Sequence, residues 1–403
     1  MRKFLILAVV SLAAAGLITL GSFSGALAKD IKVGAVINLT GPASSWGQYH
    51  AKGHQDYTRY VNEVKGGVAG NKINLTVVDH GYKVPEAVKF VKKFCTQDKV
   101  DMLATWDAGS GLMCKPIFQK YMVPDINYST PSAFLRPPID YAYLPFGNYD
   151  MDSYAIMEYI KNIHTGGGAP KVGLLTYNNA YGKCVHKPAT EAAAKFKIEL
   201  VGIEAFPPAG KQDLKTELLR LQKAGAQYVM TQILPSHVIM ALQSADQISY
   251  DIPFIGTWTT TDPTFFERAK GLLRGRLFAQ FCGCLPGDNS EGTKLIQGLM
   301  DRYGTVKKFD FSYWEGVVIA SIMERAFQRA AEKFGKINGQ TINQALQTFR
   351  NEDFGGLVPN ITYTNTDHSA SWKGRIVRLN EDQTYTPMTS FWAPGREKVK
   401  ILR

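Results

Sequence analysis

From Ile31 onward, short apolar runs alternate with longer stretches whose apolar residues recur at helical spacing. This alternation constrains the fold more than any other feature of the chain. A short run apolar on every side is buried on both faces, as in a parallel sheet, and the helical periodicity between runs supplies the crossovers that cover it. The predicted strands are Ile31–Ile37, Ile73–Asp79, Asp101–Ala104, Lys171–Thr176, Ile198–Phe206, Gln227–Gln232, Ile252–Gly256 and Arg276–Phe281. The predicted helices are Gln48–Val64, Pro85–Cys95, Gly111–Lys120, Met151–Ile163, Lys183–Phe196, Asp213–Ala224 and Ser236–Gln247. One block of α/β units closes near Leu144-Pro145-Phe146-Gly147, and a second runs from the helix after Asp150 to about Phe281. Two long helices follow, Ser290–Tyr303 and Ser312–Lys333, before a tail with Gly355-Gly356, Pro359 and alternating residues over Arg375–Leu379. The expected class is α/β, with two Rossmann-like lobes.

The amino terminus reads as an export leader. Arg2 and Lys3 form a basic head, Phe4 to Leu20 carries no charge, and Ala26-Leu27-Ala28 offers the small-x-small pattern of a cleavage site. Cleavage after residue 28 of 403 leaves 375 residues, enough for two domains of ordinary size, in an extracytoplasmic (periplasmic) compartment. The net charge of +11 falls to +9 once the two leader cations are gone, and it is spread over many helices. Nothing gathers it into a basic stripe, so no nucleic-acid partner is expected. In an oxidising compartment Cys95 and Cys114, which flank one strand-loop unit, could be bridged. Cys184, Cys282 and Cys284 cannot all pair among themselves, so at least one free thiol is expected. Cys282-Gly283-Cys284 has no second ligand pair nearby, and His50 and His54, at metal-like spacing on one helix face, have no third ligand and read as solvated. No metal or cofactor is expected.

In open parallel sheets ligands gather at the carboxyl ends of the strands, and the loops there are distinctive. They include Asn38–Gly47 with Trp46, Thr105-Trp106-Asp107-Ala108-Gly109-Ser110-Gly111, Tyr128-Ser129-Thr130, Tyr177–Gly182, Thr231-Gln232 and Gly256–Asp262 with Trp258. Ala108 to Gly111 run directly into a helix. Small residues there let a ligand approach backbone N–H groups, with the Ser110 hydroxyl alongside, in a manner suited to a carboxylate. A tight strand-to-helix turn would use the same residues. No Gly-x-Ser-x-Gly elbow, His-Glu-x-x-His or Gly-x4-Gly-Lys phosphate loop is present, and Cys184 and His186 cannot share a helix face. An enzyme is not expected.

The order of these pieces resembles the periplasmic ligand-binding proteins of ABC importers of the branched-chain amino acid type. The carriers are Ile31–Ile37 followed by Thr40-Gly41-Pro42, Val61-Asn62-Glu63 with Gly66-Gly67-Val68-Ala69-Gly70, Tyr181-Gly182, and Phe354-Gly355-Gly356-Leu357 with Ile361-Thr362-Tyr363-Thr364 and Asp367-His368. The resemblance implies the type I periplasmic binding fold. Lobe 1 would comprise residues 29–147 and 284–365, lobe 2 residues 148–283 and 366–403. Three hinge crossings would lie near Phe146–Asp150, Phe281–Pro286 and Tyr363–Ser371. By the family pattern Ala108, Gly109 and Ser110 with Ser129 and Thr130 receive a ligand carboxylate, and Tyr181 closes from the opposite lobe. Trp46, Thr231, Trp258 and Tyr313 fall at loops that line the cleft in relatives. Relatives that bind amino acids place an acid after the strand equivalent to Ile252–Gly256, where this chain has Thr257-Trp258-Thr259; Asp262 or Asp107 could substitute. The expected ligand is a small carboxylate, amide or amino acid with an apolar or aromatic body, delivered to a membrane permease by a protein for which a monomer suffices. The same fold also serves amide and amino acid sensors that are not coupled to transport.

Overall fold

A computed structural model of the protein describes residues 29–260 and 268–402. The leader and Asp262 lie outside the described residues. Two sheets organise the chain. The first contains β1 (Ile31–Ile37), β2 (Ile73–Asp79), β3 (Met102–Thr105), β4 (Asp125–Asn127) and β5 (Ala142–Tyr143), in the order β2-β1-β3-β4-β5 with every pair parallel. The second contains β6 (Lys171–Tyr177), β7 (Glu199–Phe206), β8 (Tyr228–Gln232), β9 (Phe254–Gly256), β10 (Leu277–Phe281), β11 (Arg375–Leu379) and β12 (Tyr385–Pro387). Its order is β12-β11-β10-β9-β8-β6-β7, parallel except for the pairings of β11 with β10 and β12. In each sheet the strand order reverses beside the first strand of its block, β1 or β6, which opens a crevice at the carboxyl edge.

The helices are α1 (Ser44–Glu63), α2 (Val84–Lys93), α3 (Ala108–Tyr121), α4 (Tyr149–Ile163), α5 (Ala180–Lys183), α6 (His186–Phe196), α7 (Lys215–Lys223), α8 (Pro235–Gln247), α9 (Glu291–Tyr303), α10 (Phe311–Phe334) and α11 (Gly339–Leu346). Six of these helices start on a polar side chain that accepts the third backbone N–H: Asp107, Asn148, Asn179, Ser290, Asp310 and Asn338. Helix α10 lies against α1 through two glycines. A Cβ on Gly53 would stand 2.0 Å from the Tyr313 carbonyl oxygen, and one on Gly316 would stand 2.1 Å from that of His50. Only a bare backbone permits that approach, and it fixes α10 on the first sheet's side of the molecule.

The chain passes between the sheets three times: after β5, after β10 and before β11. These passes are tied together. The Tyr363 hydroxyl donates to the Leu144 carbonyl at 2.6 Å, the Leu144 N–H donates to the His368 carbonyl at 3.0 Å, and the His368 ring stacks on Tyr143 at 4.0 Å. Arg375 donates to the Gly283 carbonyl at 2.7 Å and to Asp288 Oδ1 at 3.1 Å, joining the second pass to β11.

Several expectations need correction. Cys95 and Cys114 are both free thiols, buried with Val36, Leu103 and Phe118 in a small core beneath the first sheet. Each serves as a compact apolar side chain, and burial pushes both thiols up, Cys95 to about 12. His50 and His54 are buried on the inner face of α1 and not solvated, because that face is covered by α10. Burial holds both rings below their ordinary value, His54 at about 4. The helix predicted over Lys183–Phe196 is broken at Cys184-Val185 into α5 and α6. Strands β4 and β5, with three and two residues, are too short to show a periodicity.

Candidate functional site in the cleft between the lobes

A narrow pocket lies where the carboxyl edges of the two sheets face each other. From the first sheet's side it is lined by Trp46 in the first turn of α1, Tyr82 after β2, Trp106, Asp107 and Ala108 between β3 and α3, and Tyr128 and Ser129 after β4. Facing them are Tyr149 at the start of α4, Tyr181 in α5, Leu234 before α8, and Trp258 and Thr259 after β9. Every one of these residues follows a strand or opens a helix, where backbone direction is free to bring a side chain into the crevice.

Aromatic rings form most of the wall, and they are arranged in two parallel pairs set across each other. Trp106 stacks on Tyr128 with centroids 5.2 Å apart, and Tyr149 is parallel to Trp258 at 6.0 Å. Tyr128 and Trp258 meet edge to face at 5.7 Å, and Trp46 approaches Trp258 at 6.0 Å. Behind this wall the Trp46 indole N–H contacts the Tyr128 hydroxyl and donates to Glu315 Oε2 at 2.9 Å. Glu315 is fully buried, and burial drives its carboxyl well above the usual range, towards the neutral form.

The polar groups are few and mostly paired. Ser129 Oγ and the Tyr149 hydroxyl are 2.9 Å apart, the Tyr181 hydroxyl pairs with Thr259, and the Trp258 N–H reaches Thr130 Oγ1 at 3.4 Å. Burial raises the phenols of Tyr149 and Tyr181, so both stay protonated. Among the described residues the buried Trp106 N–H has no acceptor. The Ser110 N–H donates to Asp107 Oδ1 at 2.9 Å, and its hydroxyl bonds the same carboxylate.

Of the expected site residues, Trp46, Asp107, Ala108, Ser129, Tyr181 and Trp258 line the cavity. Gly109, Ser110 and Thr130 are not among its lining residues. Ser110 is not free to receive a ligand carboxylate at the start of α3, because Asp107 already takes its donors. Thr231 lies in β8 inside the core, with its hydroxyl unpartnered among the described residues. Tyr313 is not a lining residue: it is buried in α10 and donates to Asp56 Oδ2 at 2.9 Å. Trp106 and Tyr128 carry the aromatic character read from the loops, and Leu234 adds an apolar side chain to the lining. Tyr82 and Tyr149 escaped sequence reasoning, and Thr259 was named only as part of its loop. The helix predicted from Met151 starts instead at Tyr149, behind the Asn148 cap, and nothing local says that the Tyr149 ring turns to the cleft. Among the described residues no three His, Cys, Asp or Glu are placed to hold a metal, and no helix is long and apolar enough to cross a membrane.

Comparison with known proteins agrees with this architecture. The model of a family described as periplasmic binding protein matches residues 30–384. The Leu/Ile/Val-binding protein of Escherichia coli K12 is 24% identical over 216 residues. That match spans 53% of this chain and 58% of the relative, less than two thirds of its length. A branched-chain amino acid ABC transporter protein from Thermus thermophilus, solved with bound valine, superposes with a TM-score of 0.85 at 23% identity, covering 91% of this chain and 97% of that one. A fatty acid ABC transporter substrate-binding protein from Thermomonospora curvata gives 0.83 at 21% identity, covering 91% and 93%. At such identities the two structures speak for the type I periplasmic binding fold alone. With a family match running over nearly all of the described chain, this protein belongs to the periplasmic binding protein family.

Proposed function

We propose that this chain is the extracytoplasmic solute-binding component of an ABC importer. It captures a small molecule between two lobes, residues 29–147 with 284–365 and residues 148–283 with 366–403, and presents the closed form to a membrane permease. The observation that carries this reading is the cavity between the sheets, whose lining comes from both sides and is built of rings and hydroxyls. A receptor needs two states whose balance its ligand shifts, and contacts made only on closure supply that shift. Trp258 reaching Thr130 and Tyr149 paired with Ser129 are contacts of that kind. The apolar body expected of the solute fits the aromatic wall, and carboxylate, amide and amino acid head groups are the classes to compare. The basic head, apolar run and Ala26-Leu27-Ala28 site support export to the periplasm, and transient docking on a permease requires no more than a monomer.

Native mass spectrometry of the gently purified protein, followed by small-angle scattering with the identified solute, tests the reading. A bound small molecule whose addition makes the stripped protein more compact is the expected result. Identical scattering with and without a tightly bound solute would refute the closing mechanism, and turnover of that solute would refute a receptor without catalysis.

A further inference from the structure

The charge balance of the cavity points further than its shape. Among the described residues lining it there is one ionisable carboxylate, Asp107, and no Lys, Arg or His. The N–H and hydroxyl of Ser110, which opened a route to anion binding at the start of α3, are spent on Asp107 itself. A ligand carboxylate placed there would meet a like charge in a space largely closed to water, with no cation to offset it. His80 stands 3.7 Å behind Asp107, but burial lowers its basicity against the pull of Asp107 and Asp79, so the neutral ring is favoured. The hydroxyls opposite, on Tyr181 and Thr259, are paired with each other.

The rings carry the same sign. The face of an indole or phenol is the negative pole of its quadrupole, and a cation within about 6 Å of the centroid is attracted. The Trp106–Tyr128 pair lies at right angles to the Tyr149–Trp258 pair, Tyr128 against Trp258 at 89°. Ring faces and edges thus bound a small space that also contains one carboxylate. The unpartnered Trp106 N–H supplies a donor for one neutral oxygen.

We infer that the ligand is a small organic cation: an ammonium group seated by Asp107 and the rings of Trp106, Tyr128 and Trp258, on an apolar or aromatic body whose oxygen, if present, is an uncharged acceptor for the Trp106 N–H. This inference rests on the receptor reading and deepens it. It also puts the ammonium anchor on the loop between β3 and α3, the opposite side of the cleft from Thr257-Trp258-Thr259, where the family's amino acid receptors were expected to hold an acid.

Calorimetric titration of the ligand-stripped full mature chain with matched probes decides it. Leucinamide, phenylalaninamide and 2-phenylethylamine are cations with no carboxylate; leucine, phenylalanine and phenylacetate share their bodies and carry one. At neutral pH at least one of the cations binds at least about tenfold tighter than its carboxylate counterpart. Asp107→Asn keeps a good helix cap, weakens that cation at least about tenfold, and leaves phenylacetate unchanged or improved. A carboxylate probe that binds tightest overturns the inference, as does a variant with an unaltered cation-to-acid ratio or the failure of every cation at millimolar concentration. The ranking on the unaltered protein suffices if the variant does not fold. Should phenylacetate bind tighter than every cation and compact the protein, the cation inference falls and the receptor reading stands. Should no probe bind and native mass spectrometry find no small molecule, the receptor reading falls with it.

Discussion

Replacing Trp258 by alanine separates a closing element from an ordinary core residue. The ring is 2% exposed and touches two different bodies. Trp46, Tyr128 and Thr130 meet it from the first sheet's side, whereas Phe146 at 5.1 Å and Tyr149 belong to the pass between sheets and to α4. A buried tryptophan removes about 200 Å² from water, worth about 5 kcal/mol at 25 cal/mol per Å². With about half of that area facing the first lobe, about 2–3 kcal/mol is returned to water when the lobes part. The variant therefore weakens binding of the co-purified solute by about 30- to 150-fold, because 1.4 kcal/mol corresponds to about tenfold. The rest of the loss, about 2 kcal/mol, appears in folding stability, since Phe146 and Tyr149 lose their neighbour in either state. Calorimetric affinity and urea denaturation, measured side by side, check the split. Unchanged affinity together with the full stability loss would show that Trp258 packs the same way in open and closed forms, and the reasoning would be wrong.

Two further outcomes follow from buried groups away from the cleft. Asp125 is fully buried on β4, where its carboxyl accepts the Thr105 hydroxyl at 2.7 Å and burial raises its pKa from 3.8 to about 7. Between about pH 4 and pH 7 the folded chain keeps a proton that the unfolded chain has released, so stability falls with rising pH by about 4 kcal/mol across that window. Asp125→Asn gives little change at pH 4 and a gain approaching that amount at pH 8; a urea-derived difference independent of pH contradicts the assignment. Gly316→Ala forces a Cβ to within 2.1 Å of the His50 carbonyl oxygen, and since both partners are backbone the helices must separate, at a cost of about 2–4 kcal/mol. Gly298→Ala in α9, with open space around it, is the control and gains up to about 1 kcal/mol. Equal midpoints for the two variants would show that α1 and α10 are not in tight contact.

The amino-acid sequence by itself determined most of the longer strands and helices, because burial on both faces of a parallel sheet and one face of a helix leaves a periodicity that local reading detects; β4, β5 and α11 it did not show. It determined the carboxyl-edge loops for the same reason, and six of the expected residues, among them Trp46, Asp107 and Trp258, line the cavity. What a loop residue does there was left to tertiary contacts. Whether Ser110 offers its donors or spends them depends on the rotamer of its neighbour Asp107. Whether Tyr313 or Tyr149 faces the cleft depends on the rotation of α10 and α4, and α10 is set by Gly53 and Gly316 far along the chain. The solvation of His50 and His54 was likewise decided by α10, more than 250 residues later in sequence, lying over the face they share. Periodicity reports that a side chain is buried; only the assembled lobes determine which partner it is buried against, and binding chemistry follows from the partner.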